Sequence, residues 1–171
     1  MRMSTPEPAL AFRDLVAYTD YLAQRWLNYF RQNPKALEIE VGGRTPTLRD
    51  LVVHIFQVES FFSMLLLDDN LTPDRRPAPM ELKNFEDLER MHREANENLT
   101  QYIGATNEER LEKARTLGPV TASNRKVFAQ AVLHSVHHWA QVAMEVRQAG
   151  FPTEKPQDII ASPVMKGSGS V

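Results

Sequence analysis

Apolar residues recur every three to four positions along most of the chain, which predicts four long α-helices. Alternation of apolar and polar residues, which is typical of a strand, is noted only in one short stretch. The four helices are predicted from about 9 to 32, from 45 or 47 to about 67, from 84 to about 104, and from after 123 to 150.

Residue types at the predicted helix ends support these limits. Thr47 followed by Asp50, and Asn84 followed by Asp87, have the spacing of a capped helix start. Gly150 is placed as a helix-terminating glycine. A shorter helix is expected within NEERLEKA (107–114), and ALEIEVGG (36–43) reads as an isolated extended piece, too short to make a sheet.

Connection lengths favour a particular topology for an all-α, four-helix bundle. The segment between the second and third helices, 68–83, is long and rich in proline, and a long crossover lets consecutive helices run parallel. An up-down-down-up bundle is therefore favoured over up-down-up-down. We expect one domain over residues 1–165, whose last part lies over the bundle, and a flexible tail over 166–171.

Composition excludes several classes of function. The net charge of −2 offers no electrostatic reason to bind nucleic acid or an anionic membrane surface. The absence of cysteine excludes disulfides, thiolate ligands and a cysteine nucleophile, so any thiol chemistry needs an external thiol. Since no apolar run has the form of a signal peptide or an uninterrupted membrane span, we expect a soluble cytoplasmic protein.

Three histidines are the candidate metal ligands. His134 and His138 lie four residues apart and so project from one face of the last helix, about one turn apart. His54 lies on an apolar stripe of the second helix. A lone core histidine is usually satisfied by hydrogen bonds, but three imidazoles buried together need a common partner. We therefore expect one divalent ion held by all three, with positions left open as in catalytic sites.

Other polar residues receive weaker assignments. His92 is expected in the core or at a rim rather than as a fourth ligand, and His137 at a rim or interface. Glu145 is two turns from His138, too far to share its ion, and Glu59 is expected at the surface. Gln141 is the candidate to contact a metal-bound water or a substrate.

Two sequence segments carry a resemblance to a known family. TPTLRDLVVHIFQVESFF (45–62) and HSVHHWAQVAMEVRQAG (134–150) resemble the second and fourth helices of the DinB-like (YfiT-like) four-helix-bundle metalloproteins, and the likeness spans nearly the whole chain. It implies the same bundle, often homodimeric, with His54, His134 and His138 binding a divalent metal. Where family members often have H-R-G-Q, this chain has His138-Trp139-Ala140-Gln141, so contacts of the two middle residues differ.

The resemblance and the residues together define three functional hypotheses. Characterised relatives include transferases and isomerases that use low-molecular-weight bacterial thiols, so the leading hypothesis is a metal-dependent enzyme that activates such a thiol for transfer to an electrophilic small molecule. The alternatives are a hydrolase using a metal-bound hydroxide and a non-catalytic metal-binding stress protein. Zinc is favoured by the imidazole ligands, with nickel or iron next. The last helix is apolar nearly all round, which supports a homodimer; the apolar residues expected outside its histidine face are Leu133, Val136, Trp139 and Met144.

Overall fold

Four long helices dominate the computed structural model, which describes residues 11–72, 84–152, 159 and 162–164. In chain order the elements are α1 (Phe12–Gln32), a 3₁₀ turn (Pro34–Glu38), α2 (Leu48–Leu67), α3 (Phe85–Ala105), the short α4 (Glu108–Glu112), strands β1 (Ala114–Leu117) and β2 (Val120–Ser123), and α5 (Asn124–Gln148). The predicted fold class, an all-α four-helix bundle, is confirmed. The tail expected over 166–171 and residues 73–83 of the long connection lie outside the described residues.

Reciprocal caps set the starts of α2 and α3, as the sequence predicts. Thr47 Oγ1 accepts from the Asp50 amide at 3.3 Å, and the Asp50 carboxylate accepts from the Thr47 amide at 3.0 Å. Asn84 and Asp87 form the same pair, at 3.0 and 3.3 Å. Each pair satisfies two amides that the first helical turn would otherwise leave unpaired.

Aromatic contacts and shared clusters establish the directions of α1, α2 and α5. Phe12 packs on Phe128 and Trp26 stacks on Trp139, so residue numbers rise together and α1 runs parallel to α5. Leu66, at the end of α2, lies in one cluster with Phe128, near the start of α5. These two helices are therefore antiparallel.

Polar contacts establish the direction of α3. Its residues His92 and Asn98 bond to Glu59 and Ser63 of α2 respectively, so the numbers rise together and α3 runs parallel to α2. With α1 and α5 in the opposite direction, the order is up-down-down-up, as predicted. The long connection between α2 and α3 carries the crossover that two parallel neighbours require.

The core continues along the bundle in two clusters. One surrounds Trp26, Phe30, Phe56 and Trp139, and the other surrounds Tyr102 and Phe128 together with aliphatic residues of α2, α3 and α5. Val164, from the segment expected to lie over the bundle, packs against the first cluster.

The composition of α2 reflects its place in this core. By length and composition alone this helix is apolar enough to cross a membrane. Its residues Leu51, Ile55 and Phe56 are fully buried, and the helix packs on both α3 and α5. A helix with two packed neighbours needs apolar residues over a wide arc, so burial in the bundle accounts for its hydropathy.

Trp139 corrects one expectation about α5. We expected it outside the histidine face with Leu133, Val136 and Met144, but its indole is fully buried and lies 6.2 Å from that of Trp26, nearly parallel to it. The reason is that α5 packs on both α1 and α2, so its buried arc is wider than one stripe. Leu133 and Met144 are exposed, as expected.

Two short elements also differ from expectation. In the piece expected to be extended, 36–43, the first three residues belong to the 3₁₀ turn, and Glu40 forms an isolated β-bridge with Thr47. The hairpin of β1 and β2 was not predicted. Gly118 and Pro119 form its two-residue loop; Gly118 has φ 62° and proline fixes a negative φ, the combination of a type II′ turn.

Candidate metal centre

The three predicted ligands come together between α2 and α5. His54 lies in the second turn of α2, and His134 and His138 lie on successive turns of α5. Ring centroids are 5.0 Å apart for His54 and His134, 5.2 Å for His54 and His138, and 4.4 Å for the pair on α5. All three side chains are half-buried, so the cluster lies at the edge of the core rather than at its centre.

The nitrogen positions fit a divalent ion. One ring nitrogen from each histidine lies within 4.8 Å of the other two. Zinc–nitrogen bonds are about 2.0–2.1 Å long, so each nitrogen would need to move by less than about 1 Å to share one ion. His134 Nδ1 is buried and has no hydrogen-bond partner among the described residues. A buried imidazole nitrogen without a hydrogen-bond partner, in a ring beside two other imidazoles, is a candidate atom for binding a metal ion.

Gln141 hydrogen-bonds to one of the candidate ligands. Its Oε1 lies 3.0 Å from His138 Nδ1. An amide oxygen can only accept, so Nδ1 of His138 carries the proton and donates it, leaving Nε2 as the nitrogen with a free lone pair. A hydrogen bond to the outer nitrogen commonly orients a metal-binding histidine. The expectation that Gln141 contacts water or substrate stays a prediction.

The electrostatics of His134 favour the form that binds metal. Burial, followed by the nearby charges that His138 and His54 can carry, lowers the pKa of His134 to about 4. Its imidazole is therefore neutral at physiological pH, with a lone pair available. The imidazole of His134 therefore resists protonation, and its lone pair stays available for a divalent cation.

The remaining polar residues near α5 lie around this cluster. His137 is exposed, with its ring 5.2 Å from that of His138, and it is not part of the three-nitrogen group. Glu145 is half-buried, two turns further along the same helix. Both positions agree with the geometry of the helix.

His92 lies in the core between two carboxylates, which leaves it no role as a fourth ligand. Its Nε2 is 2.9 Å from Asp20 Oδ1 and its Nδ1 is 3.1 Å from Glu59 Oε2. Burial by itself lowers the pKa of His92, but the hydrogen bonds to Asp20 and Glu59 outweigh it and raise the pKa to about 9. His92 is thus an imidazolium at neutral pH, paired on both sides.

Glu59 is buried, so the expectation that it lies at the surface was wrong. Its side chain accepts from Ser135 through Oε1 and from His92 through Oε2, and only 4% of the residue is exposed. Glu59 is about 140° around α2 from His54, and that direction faces the α3 and α5 side of the bundle. The sequence prediction allowed each helix only one inward-facing stripe, so it missed the burial of Glu59 and of its partner Ser135.

A four-helix bundle with three histidines gathered between two of its helices is an architecture that can hold a metal ion. The DinB family model matches residues 11–159, and the chain belongs to that family. The structure is similar to a solved DinB-like protein, YjoA from Bacillus subtilis, with a TM-score of 0.60 and 20% identity over 83% of this chain and 95% of that one. No curated protein matches the chain significantly.

Proposed function

We propose that this DinB-family protein is a metal-dependent enzyme that promotes attack of a low-molecular-weight thiol on an electrophilic small molecule. The observation that carries the proposal is the convergence of His54, His134 and His138, with nitrogens within 4.8 Å of one another. Three protein ligands leave room for a further ligand in the coordination of zinc, nickel or iron. The three imidazole rings are half-buried, so solvent and substrate could reach the open coordination position.

The ligand set determines what chemistry is available. A bound divalent ion is a Lewis acid, and it lowers the pKa of a thiol or water beside it. Neutral imidazoles do not offset the charge of the ion, and the lowered pKa of His134 keeps that ring neutral. Gln141 holds His138 in the tautomer that presents Nε2. These residues would bind and orient; the chain supplies no sulfur nucleophile of its own, since it has no cysteine.

The proposed reaction is a substitution with the thiol as nucleophile. The thiol loses its proton to solvent, its sulfur forms a bond with the electrophilic carbon, and the leaving group departs with the electron pair of the broken bond. Loss of the thiol proton near neutral pH is the step that the positive charge of a metal-loaded site would favour.

The test is thiol-dependent turnover by the metal-loaded protein. Protein loaded separately with zinc, nickel and iron is mixed with glutathione, bacillithiol or mycothiol and a chlorinated dinitrobenzene, and chloride release is followed. We expect turnover that is lost in apo protein and in His138→Ala but kept in the neighbouring control His137→Ala. Absence of thiol-dependent turnover with every pair refutes the proposal. Thiol-independent ester cleavage would indicate a hydrolase instead, and strong loss of thermal stability on chelation without any activity a structural metal.

We also propose a cytoplasmic location and a homodimer. The homodimer is supported by the exposed side of α5. Leu133 is 61% exposed and Met144 is 46% exposed, and the two lie three turns apart on the outer side of α5. Ala140 lies between them at helical spacing and is also exposed. Apolar residues repeated along one helix face support packing against a second copy of that helix.

A further inference from the structure

A chain of hydrogen bonds crosses all four long helices in one layer of the bundle. It runs from Asp20 on α1 to His92 on α3 at 2.9 Å, from His92 to Glu59 on α2 at 3.1 Å, and from Glu59 to Ser135 on α5. We propose that this four-residue layer sets the separation of α2 and α5, and that Glu59 and Ser135 thereby position the three histidines for metal. The inference rests on the metal site of the proposed function.

Three of the four residues in the layer are buried. Glu59 is 4% exposed, His92 2% and Ser135 fully buried, whereas the Asp20 side chain is 38% exposed. Each oxygen of the Glu59 carboxylate has its own partner, and each nitrogen of His92 has a carboxylate. Because Glu59, His92 and Ser135 lie away from water, losing the bonds among them would leave a charged or polar group unpaired, so the layer favours one arrangement of α2, α3 and α5.

Position along the helices connects the layer to the metal site. Ser135 is the residue after His134, and Glu59 follows His54 by five residues, about 7.5 Å along α2. The bond between Glu59 and Ser135 and the contacts between His54 and the α5 histidines thus join the same two helices at neighbouring levels. If α2 slid or moved away from α5, the bond and the spacing of the imidazoles would change together.

Metal affinity is sensitive to such changes. Ligand nitrogens must lie within about 0.2 Å of their ideal distances from the ion. Groups that hydrogen-bond to metal ligands typically contribute 10- to 100-fold in affinity, and we expect an effect near the lower end of that range for residues that act through the spacing of two helices. We therefore assign Glu59 and Ser135 as positioning residues. They act through His54 and His134, without contact with the ion or substrate.

Cobalt(II) titration of three variants tests the assignment. Cobalt(II) replaces zinc and its visible absorption reports ligand geometry. Ser135→Ala and Glu59→Gln should bind cobalt at least about tenfold more weakly than the unmodified protein, with an altered spectrum. Ser63→Ala is the matched control, because Ser63 is also fully buried on a long helix but accepts from Asn98 of α3 and does not join α2 to α5. It should bind cobalt normally.

The outcomes separate this inference from the proposed function. If the unmodified protein binds no cobalt, the metal site itself is refuted. If it binds and folded Ser135→Ala retains the same affinity and spectrum, the positioning role is overturned and the metal site stands. An equal loss in Ser63→Ala also overturns it, because the effect would then follow from general destabilisation. Circular dichroism checks that each variant folds. If Glu59→Gln does not fold, the result with Ser135→Ala alone tests the positioning role.

Discussion

The imidazolium of His92 should make the stability of the metal-free protein fall as pH rises above neutrality. Its pKa is about 9 in the folded chain, against 6.5 for an unperturbed histidine. Since the folded state holds this proton more tightly than the unfolded state, the stabilisation is complete below pH 6.5, declines between pH 6.5 and about 9, and is absent above. At 1.36 kcal/mol per pKa unit, the free energy of unfolding should fall by roughly 3 kcal/mol across this window.

Urea unfolding followed by circular dichroism at several pH values between 6 and 10, with a chelator present, measures this change. Asp20→Asn keeps the size of the side chain but removes one of the two carboxylates that raise the pKa of His92. The decline should then be smaller and end at a lower pH. His137→Gln, which replaces an exposed histidine, is the control and should follow the unmodified protein.

Two results would refute this reasoning. A free energy of unfolding that stays constant between pH 6.5 and 9 would mean that His92 does not carry its proton between the two carboxylates. A full decline in Asp20→Asn would mean that some other group titrates in this range. The lowered pKa of Asp20 does not interfere, because its stabilisation is lost only as pH falls below the ordinary value of 3.8.

Three further predictions concern the surroundings of the metal centre. Gln141→Leu should weaken metal binding by about tenfold, measured by competition with a chelating dye, because His138 loses the acceptor that fixes its tautomer; unchanged affinity would contradict that role. Trp139→Ala should lower the free energy of unfolding by about 3–5 kcal/mol in urea titrations, since the indole is fully buried, and a loss under about 1 kcal/mol would argue against that packing. Leu133→Glu with Met144→Glu should convert the proposed dimer to monomer in sedimentation equilibrium; an unchanged mass would place any interface elsewhere.

Local patterns were sufficient to predict the long helices and to place two of the three candidate ligands on one helix face. The capping pairs at Thr47 and Asn84 depend on residues three positions apart, so they are readable without tertiary contacts. Likewise, the spacing of His134 and His138 places both on one face of any helix. To predict that His54 approaches His134 and His138, one must also assume which helices are neighbours, and the four-helix bundle provides that assumption.

The buried polar layer could not be predicted because it depends on which helices are neighbours. Glu59 points away from His54, and nothing local in the sequence indicates that His92 and Ser135 meet it there. Trp139 was misplaced for a related reason, since α5 is covered on two sides. The hairpin did have a signal: Gly118-Pro119 is a turn dipeptide flanked by residues that favour strands.

Metal stoichiometry measured on the intact protein tests the central claim most directly. After loading and removal of excess metal, anomalous scattering from crystals together with elemental analysis should locate one zinc, nickel or iron ion per chain among His54, His134 and His138. His54→Ala and His138→Ala should each lose that ion, whereas His137→Ala should keep it. An ion bound elsewhere, or equal loss in all three variants, would contradict the assignment of these histidines as a metal centre.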